Sequence, residues 1–240
     1  MKNSLCKVLN IDLYRKEVIS FVGGGGKTTA MFALADELKT LGKRVLITTT
    51  TNIFIPKEGS FDQLFLKDVD LEKIEPGSLT IFGEEVRDKK IKGPDLEVLD
   101  ILIKKDLFDY YLIEADGAKH KPIKAPASHE PVISALTTKT IGLIGLDALH
   151  KSIVEISHRS EILSELLNKK SSEKVEVVDI IKLVLHRDGL FKDYKGEAIL
   201  LLNKTVNAAL IEEGLLIKRI LNKSNFKNVI IADVMTRSFY

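Results

Sequence analysis

A single cysteine, Cys6, leaves the chain without a partner for an intramolecular disulfide, so no disulfide framework supports the fold. Net charge is almost absent: +2 over 240 residues, with Lys and Arg dispersed, which argues against a nucleic acid or a membrane surface as partner. No apolar run approaches the length of a membrane span. The first twenty residues carry charges throughout, unlike a signal peptide. Internal repeats and low-complexity tracts are missing, and no His, Cys or carboxylate group shows metal-ligand spacing. The expectation is a soluble cytoplasmic protein in a reduced compartment. At 45% hydrophobic residues it has material for one domain over 1–240.

What is present is an alternation of short apolar runs with helical patterns. Strands are expected at 17–23, 44–50, 78–83, 110–115, 140–146, 197–203 and 228–234. Helices are expected over 27–41, 94–106, 158–168, 176–187 and 207–222. In the first helix Met31, Leu34, Ala35, Leu38 and Leu41 recur at helical spacing, and Gly42 is a plausible stop. Runs rich in Ile, Leu and Val that alternate with helices predict an α/β fold, a mostly parallel doubly wound sheet of the P-loop NTPase type. A helical excursion over about 145–195 precedes the late strands.

The stretch "VISFVGGGGKTTA" (18–30) sets an apolar strand, Gly23, Gly24, Gly25 and Gly26, and then Lys27, Thr28 and Thr29 at the start of a helix. Phosphate binding needs backbone N–H groups free of side chains, a helix N-terminus, a lysine for the terminal phosphates and a hydroxyl for Mg²⁺. Those residues supply these in order. Read from Gly23 the loop is G-x-x-G-K-T-T, two residues shorter than the common form. It is tighter, not absent, and resembles the compact ATP loop of Mur-type amide ligases.

Ligands of an open parallel sheet sit beyond the carboxyl ends of its strands. Thr50 and Thr51 lie there in "TTTTN" (48–52), where they serve strand chemistry or a substrate equally well. In "YYLIEADGAKHKPIKAP" (110–126), Glu114 and Asp116 reach the site edge, where a carboxylate holds Mg²⁺ or orients a nucleophile. Lys119, His120, Lys121 and Lys124 follow on a proline-stiffened loop that suits an anionic substrate or simple solvation. The strand 197–203 ends in Asn203 and Lys204, like the N-K-x-D base-recognition motif of GTP-binding proteins. Val206 stands where the aspartate would be, so the choice between ATP and GTP stays open. His158 and Arg159 read as the beginning of a helix, and Asp147 is a weaker candidate.

The blocks "FVGGGGKTT", "RVLITTTTNIF", "EADGAKHKPIKAPASHEPVI", "IGLIGLDALHK", His158-Arg159 and "LLLNK" together resemble the selenium-dependent hydroxylase accessory proteins of the YqeC type. The resemblance implies a cytoplasmic P-loop protein acting in maturation of selenium-dependent molybdenum hydroxylases, with the hydroxylase or its pterin cofactor as partner. It makes Lys27 and Thr28 the nucleotide loop and Glu114 and Asp116 the acidic motif. Three activities fit the residues: an NTPase or phosphoryl-transfer enzyme using Mg²⁺ with ATP or GTP, a non-catalytic carrier of a phosphorylated cofactor, and an ATP-dependent ligase or kinase.

Overall fold

The computed structural model describes residues 4–70 and 73–240, so the first three residues of the expected domain lie outside it. A short helix α1 (Leu5–Val8) leads to β1 (Glu17–Gly23), α2 (Lys27–Thr40), β2 (Val45–Thr49) and β3 (Asn52–Phe54). Next come β4 (Gln63–Leu66), β5 (Leu79–Gly83), β6 (Glu85–Arg87), β7 (Lys90–Lys92), α3 (Leu96–Lys104) and β8 (Tyr110–Glu114). The middle of the chain holds β9 (Ile123–Lys124), β10 (Lys139–Gly145), α4 (Ile153–Ile156), β11 (Ser157–His158), α5 (Ser160–Leu167) and α6 (Val177–Leu185). It closes with β12 (Glu197–Asn203), α7 (Ala208–Lys223), β13 (Val229–Asp233) and β14 (Ser238–Phe239).

Nine strands form one sheet in the order β14-β13-β12-β10-β1-β8-β2-β5-β4. Every pairing in it is parallel except β13 with β14. The expected α/β class and mostly parallel, doubly wound sheet are what the chain adopts, consistent with the P-loop NTPase type. Strand periodicity explains the two-sided burial. Ile19 and Phe21 of β1 join the core under α1 and α2, with Met31, Leu34 and Leu38. Val18 packs under α3, and Val22 under the helical excursion and α7.

The chain goes from β1 over β8 to β2 on one side, then from β8 across β1 to β10 on the other. Strand order therefore reverses at β1, and its carboxyl end opens into the crevice where open α/β sheets hold ligands. Two small sheets border that crevice. One is antiparallel, β3-β7-β6; the other pairs β9 with β11. Neither was expected. His158, expected to begin a helix, lies in β11 beside Lys124, which ties the helical excursion to the basic loop. Arg159 then caps α5 in a left-handed conformation, φ 58°.

Candidate functional site

The glycines turn the chain from β1 into α2 with φ of 90° at Gly23, 80° at Gly25 and 116° at Gly26, values that L side chains rarely adopt. Close approach adds a second demand. A Cβ on Gly24 would sit 2.6 Å from the Lys121 carbonyl oxygen, and one on Gly25 would sit 2.1 Å from the Gly145 nitrogen. The N–H groups of these glycines are not all turned to a ligand, as the sequence suggested. Gly23 N–H donates to Asp116 Oδ2 (3.0 Å), Gly24 N–H to the Leu143 carbonyl (3.0 Å) and Gly25 N–H to the Lys121 carbonyl (3.0 Å). The loop is short because it is fastened to β10 and to the 121–123 segment. The N–H groups without an acceptor within the helix are those of the first turn of α2.

Lys27 and Thr28 open that turn. The buried Lys27 ammonium donates to the Gly23 carbonyl (2.6 Å) and lies 2.9 Å from Asp116 Oδ1 and 3.8 Å from Glu114 Oε1. Thr28 Oγ1 donates to Glu114 Oε2 at 2.6 Å. The contacts continue from Asp116 to Lys124 (3.6 Å), from Lys124 to Glu130 (2.8 Å) and from Glu130 to Arg159. Charges alternate along this chain, three carboxylates with three cations. Within it, Asp116 Oδ1 and Lys124 Nζ are buried and meet their partners, Lys27 at 2.9 Å and Glu130 at 2.8 Å, as ion pairs of imperfect hydrogen-bond alignment.

Burial disfavours the charged form of Lys27, but Asp116 and Glu114 outweigh it and hold the ammonium above the usual lysine range. Glu114 is raised as well, but here burial is the cause that wins: it lifts the carboxyl above the ordinary glutamate range despite Lys27 and Thr28. Arg159 and, above all, Lys124 keep Glu130 below that range against its own desolvation.

A cavity of about 670 Å³ opens above these groups, lined by Gly24–Thr29, Glu114, Lys119, His120, Lys121 and Lys204 among others. Thr28 and Thr29 are exposed at its floor. Thr51 lines it; Thr50 does not, and instead bonds the Val132 carbonyl (3.0 Å). Lys124 corrects the picture of a solvated basic loop: with no side-chain exposure it neutralises Glu130 and Asp116 and presents no charge to solvent. Lys119 and His120 are exposed, and Lys121 binds the Glu155 carbonyl.

Asn203 is likewise an internal brace. Its buried amide bonds the Gly25 carbonyl and the Val234 N–H. Lys204 reaches the cavity beside Asp147 Oδ2 (3.0 Å), and exposed Val206 offers a base no acceptor. The sequence reading missed Phe54 and Lys90 on the cavity rim and Glu130 and Arg159 in the charge chain. Glu130 was legible only as an extension of the basic loop, and Arg159 only as the start of a helix.

The family model described as YqeC protein matches residues 19–161, which contain the glycine loop, the acidic pair and the charge chain. Among curated proteins, the chain is similar to the uncharacterized protein YqeC of Escherichia coli (strain K12). Identity is 34% over 184 residues, covering 75% of this chain and 72% of that one.

Proposed function

The chain belongs to the YqeC family, and from that premise we propose that it binds a nucleoside triphosphate with Mg²⁺ and hydrolyses it or transfers its terminal phosphoryl group. One observation carries the reading. Lys27 and Thr28, at the head of α2, meet Glu114 and Asp116 at the end of β8, with Thr28 Oγ1 2.6 Å from Glu114 Oε2. Lysine, hydroxyl and carboxylate at a helix N-terminus are the parts that phosphoryl transfer uses.

The donor set fits Mg²⁺, which takes one hydroxyl and one or two carboxylates and completes its shell with phosphate oxygens and water. Thr28, with Glu114 or Asp116, would hold it; when bound it neutralises charge developing on the phosphates. The chain's own residues do the rest. The first turn of α2 receives the β- and γ-phosphates. Lys27 swings from Asp116 towards them. Glu114, made more basic by its burial, is placed to orient an attacking water or hydroxyl and take its proton. ATP and GTP both fit this phosphate chemistry, and Val206 lacks the carboxylate that would select guanine over adenine.

The process in which we place it, maturation of selenium-dependent molybdenum hydroxylases, rests on the family resemblance. A carrier of a phosphorylated pterin cofactor is the second reading. It is favoured by the inward position of Lys27, bonded to Gly23 and Asp116. Calorimetric titration of Mg–ATP and Mg–GTP into wild type and Lys27→Ala tests the proposal. Binding should fall at least 100-fold in the variant, and undiminished binding overturns it. Bound nucleotide that never turns over favours the carrier.

A further inference from the structure

Three groups at one end of the cavity have no part in phosphate chemistry. Phe54 closes β3, Lys90 opens β7 directly opposite it in the register, and His120 rises from the loop after β8. The Phe54 and His120 rings stack, centroids 5.6 Å apart and planes 22° apart, and Lys90 Nζ stands 4.8 Å from the Phe54 ring centre. All three line the same cavity as the glycine loop. Phe54 is nonetheless 52% exposed, a large apolar ring left facing water beside cations.

The strand order assigns this end a place relative to a nucleotide. Thr28 and Glu114 lie on the β8 side of β1, whereas Lys204 lies across β10 at the end of β12. In the nucleotide complex proposed above, with the terminal phosphate at Glu114, the base is taken to lie on the Lys204 side. Phe54, on the strand that follows β2, lines the same cavity on the other side of Glu114 from Lys204, away from that base. We propose that Phe54, His120 and Lys90 form a second binding site, for a planar heteroaromatic ring carrying an anionic group. The half-exposed Phe54 ring and the His120 ring beside it provide the aromatic surface for stacking, and Lys90 and the exposed Lys119 supply the counter-charge. That the site is a second one rests on the proposed nucleotide binding; the stacking site itself does not.

The probes are 6-carboxypterin and flavin mononucleotide, both planar, anionic and fluorescent, with ribose 5-phosphate as a ringless anion. Each is titrated into the whole chain, free and saturated with Mg²⁺ and a non-hydrolysable ATP analogue. At least one ring probe should bind with quenched fluorescence in both states. Phe54→Ala should weaken it tenfold or more, Phe54→Tyr should restore it, and nucleotide affinity should stay within twofold. Circular dichroism checks the fold of both variants. Expulsion of the nucleotide by the ring probe, loss of nucleotide affinity in Phe54→Ala, equal binding of ribose 5-phosphate, or silence from both ring probes overturns the proposal. Ring binding without any nucleotide binding removes the nucleotide reading and leaves the stacking site standing.

Discussion

Asn203 Nδ2 donates to the carbonyl oxygen of Gly25 at 2.8 Å, joining the end of β12 to a loop 178 residues earlier. The same amide accepts from Val234 N–H at 3.0 Å, so one buried side chain holds the glycine loop, β12 and the chain after β13 together. Its place at a strand end suggested base recognition. Its bonds make it a structural tie.

Asn203→Ala should therefore cost about 3 kcal/mol of stability, since two buried backbone groups lose their partners. Urea denaturation reads this. Affinities for ATP and GTP should fall together, because the loop loosens. A changed preference between the two bases, with stability intact, would contradict this.

Gly25→Ala should be far more damaging than Gly42→Ala, although both glycines have positive φ (80° and 76°). A methyl at Gly25 meets the Gly145 backbone at 2.1 Å, whereas nothing lies within 4 Å at Gly42. We expect about 1 kcal/mol at Gly42 from backbone strain. At Gly25 we expect several times that, or failure to fold. Equal melting temperatures for the two variants would refute the close packing.

Lys124→Met should destabilise by about 3–5 kcal/mol, the usual result of removing one partner from a buried ion pair. Of their cationic partners, Glu130 would keep only Arg159, and Asp116 only Lys27. Lys119→Ala, at an exposed position, should leave the unfolding midpoint unchanged. The reverse pattern would return Lys124 to the role of a solvated anion-binding lysine.

His150 sits between Glu213 (2.6 Å) and Glu176 (2.9 Å) and links α7 to the cap of α6. The bond to Glu213, with Glu176 behind it, raises the imidazole above its ordinary range. A raised folded pKa means that this stabilisation is fully present below the unfolded value of about 6.5. It is lost as pH rises through the folded value. Wild type should exceed His150→Gln in melting temperature at pH 6 and converge with it at pH 9. A pH-independent gap would exclude the titration.

Cys6 is buried, and that burial, with Glu37 beside it, pushes its thiol up to about 12. Reaction needs the thiolate, so iodoacetamide at pH 8 should leave the native chain unlabelled. Complete labelling should follow denaturation, and as the lone cysteine it makes the readout unambiguous. Rapid labelling of folded protein would show that α1 opens readily.

Strands buried on both faces and helices with regular apolar spacing announce themselves locally, so β1, β2, β5, β8, β10, β12 and β13 were legible to within two residues. The β3-β7-β6 sheet was not. Its strands have three residues each, and "EEVRDKKIK" reads as a charged loop because only Ile91 and Ile53 are buried. Phe54 disappeared with it. Glu114, Asp116, Lys27 and Thr28 were legible as candidates because their spacing follows a strand–loop–helix unit and a strand end. Lys124 was misjudged for the opposite reason: a lysine becomes an interior residue only when distant carboxylates arrive to meet it, and no local pattern records that.

The contacts of Gly24 and Gly25 with the Lys121–Ile123 backbone have a mechanical meaning. The glycine turn and the basic loop, some ninety residues apart along the polypeptide, are riveted into one piece, and β11 extends that piece to the helical excursion. Pressure applied at any of its three parts is felt by the other two. An occupant that stiffens the turn would therefore slow amide exchange in residues 118–124 and 157–160 as well, and a partner gripping the excursion would reshape the turn without touching it.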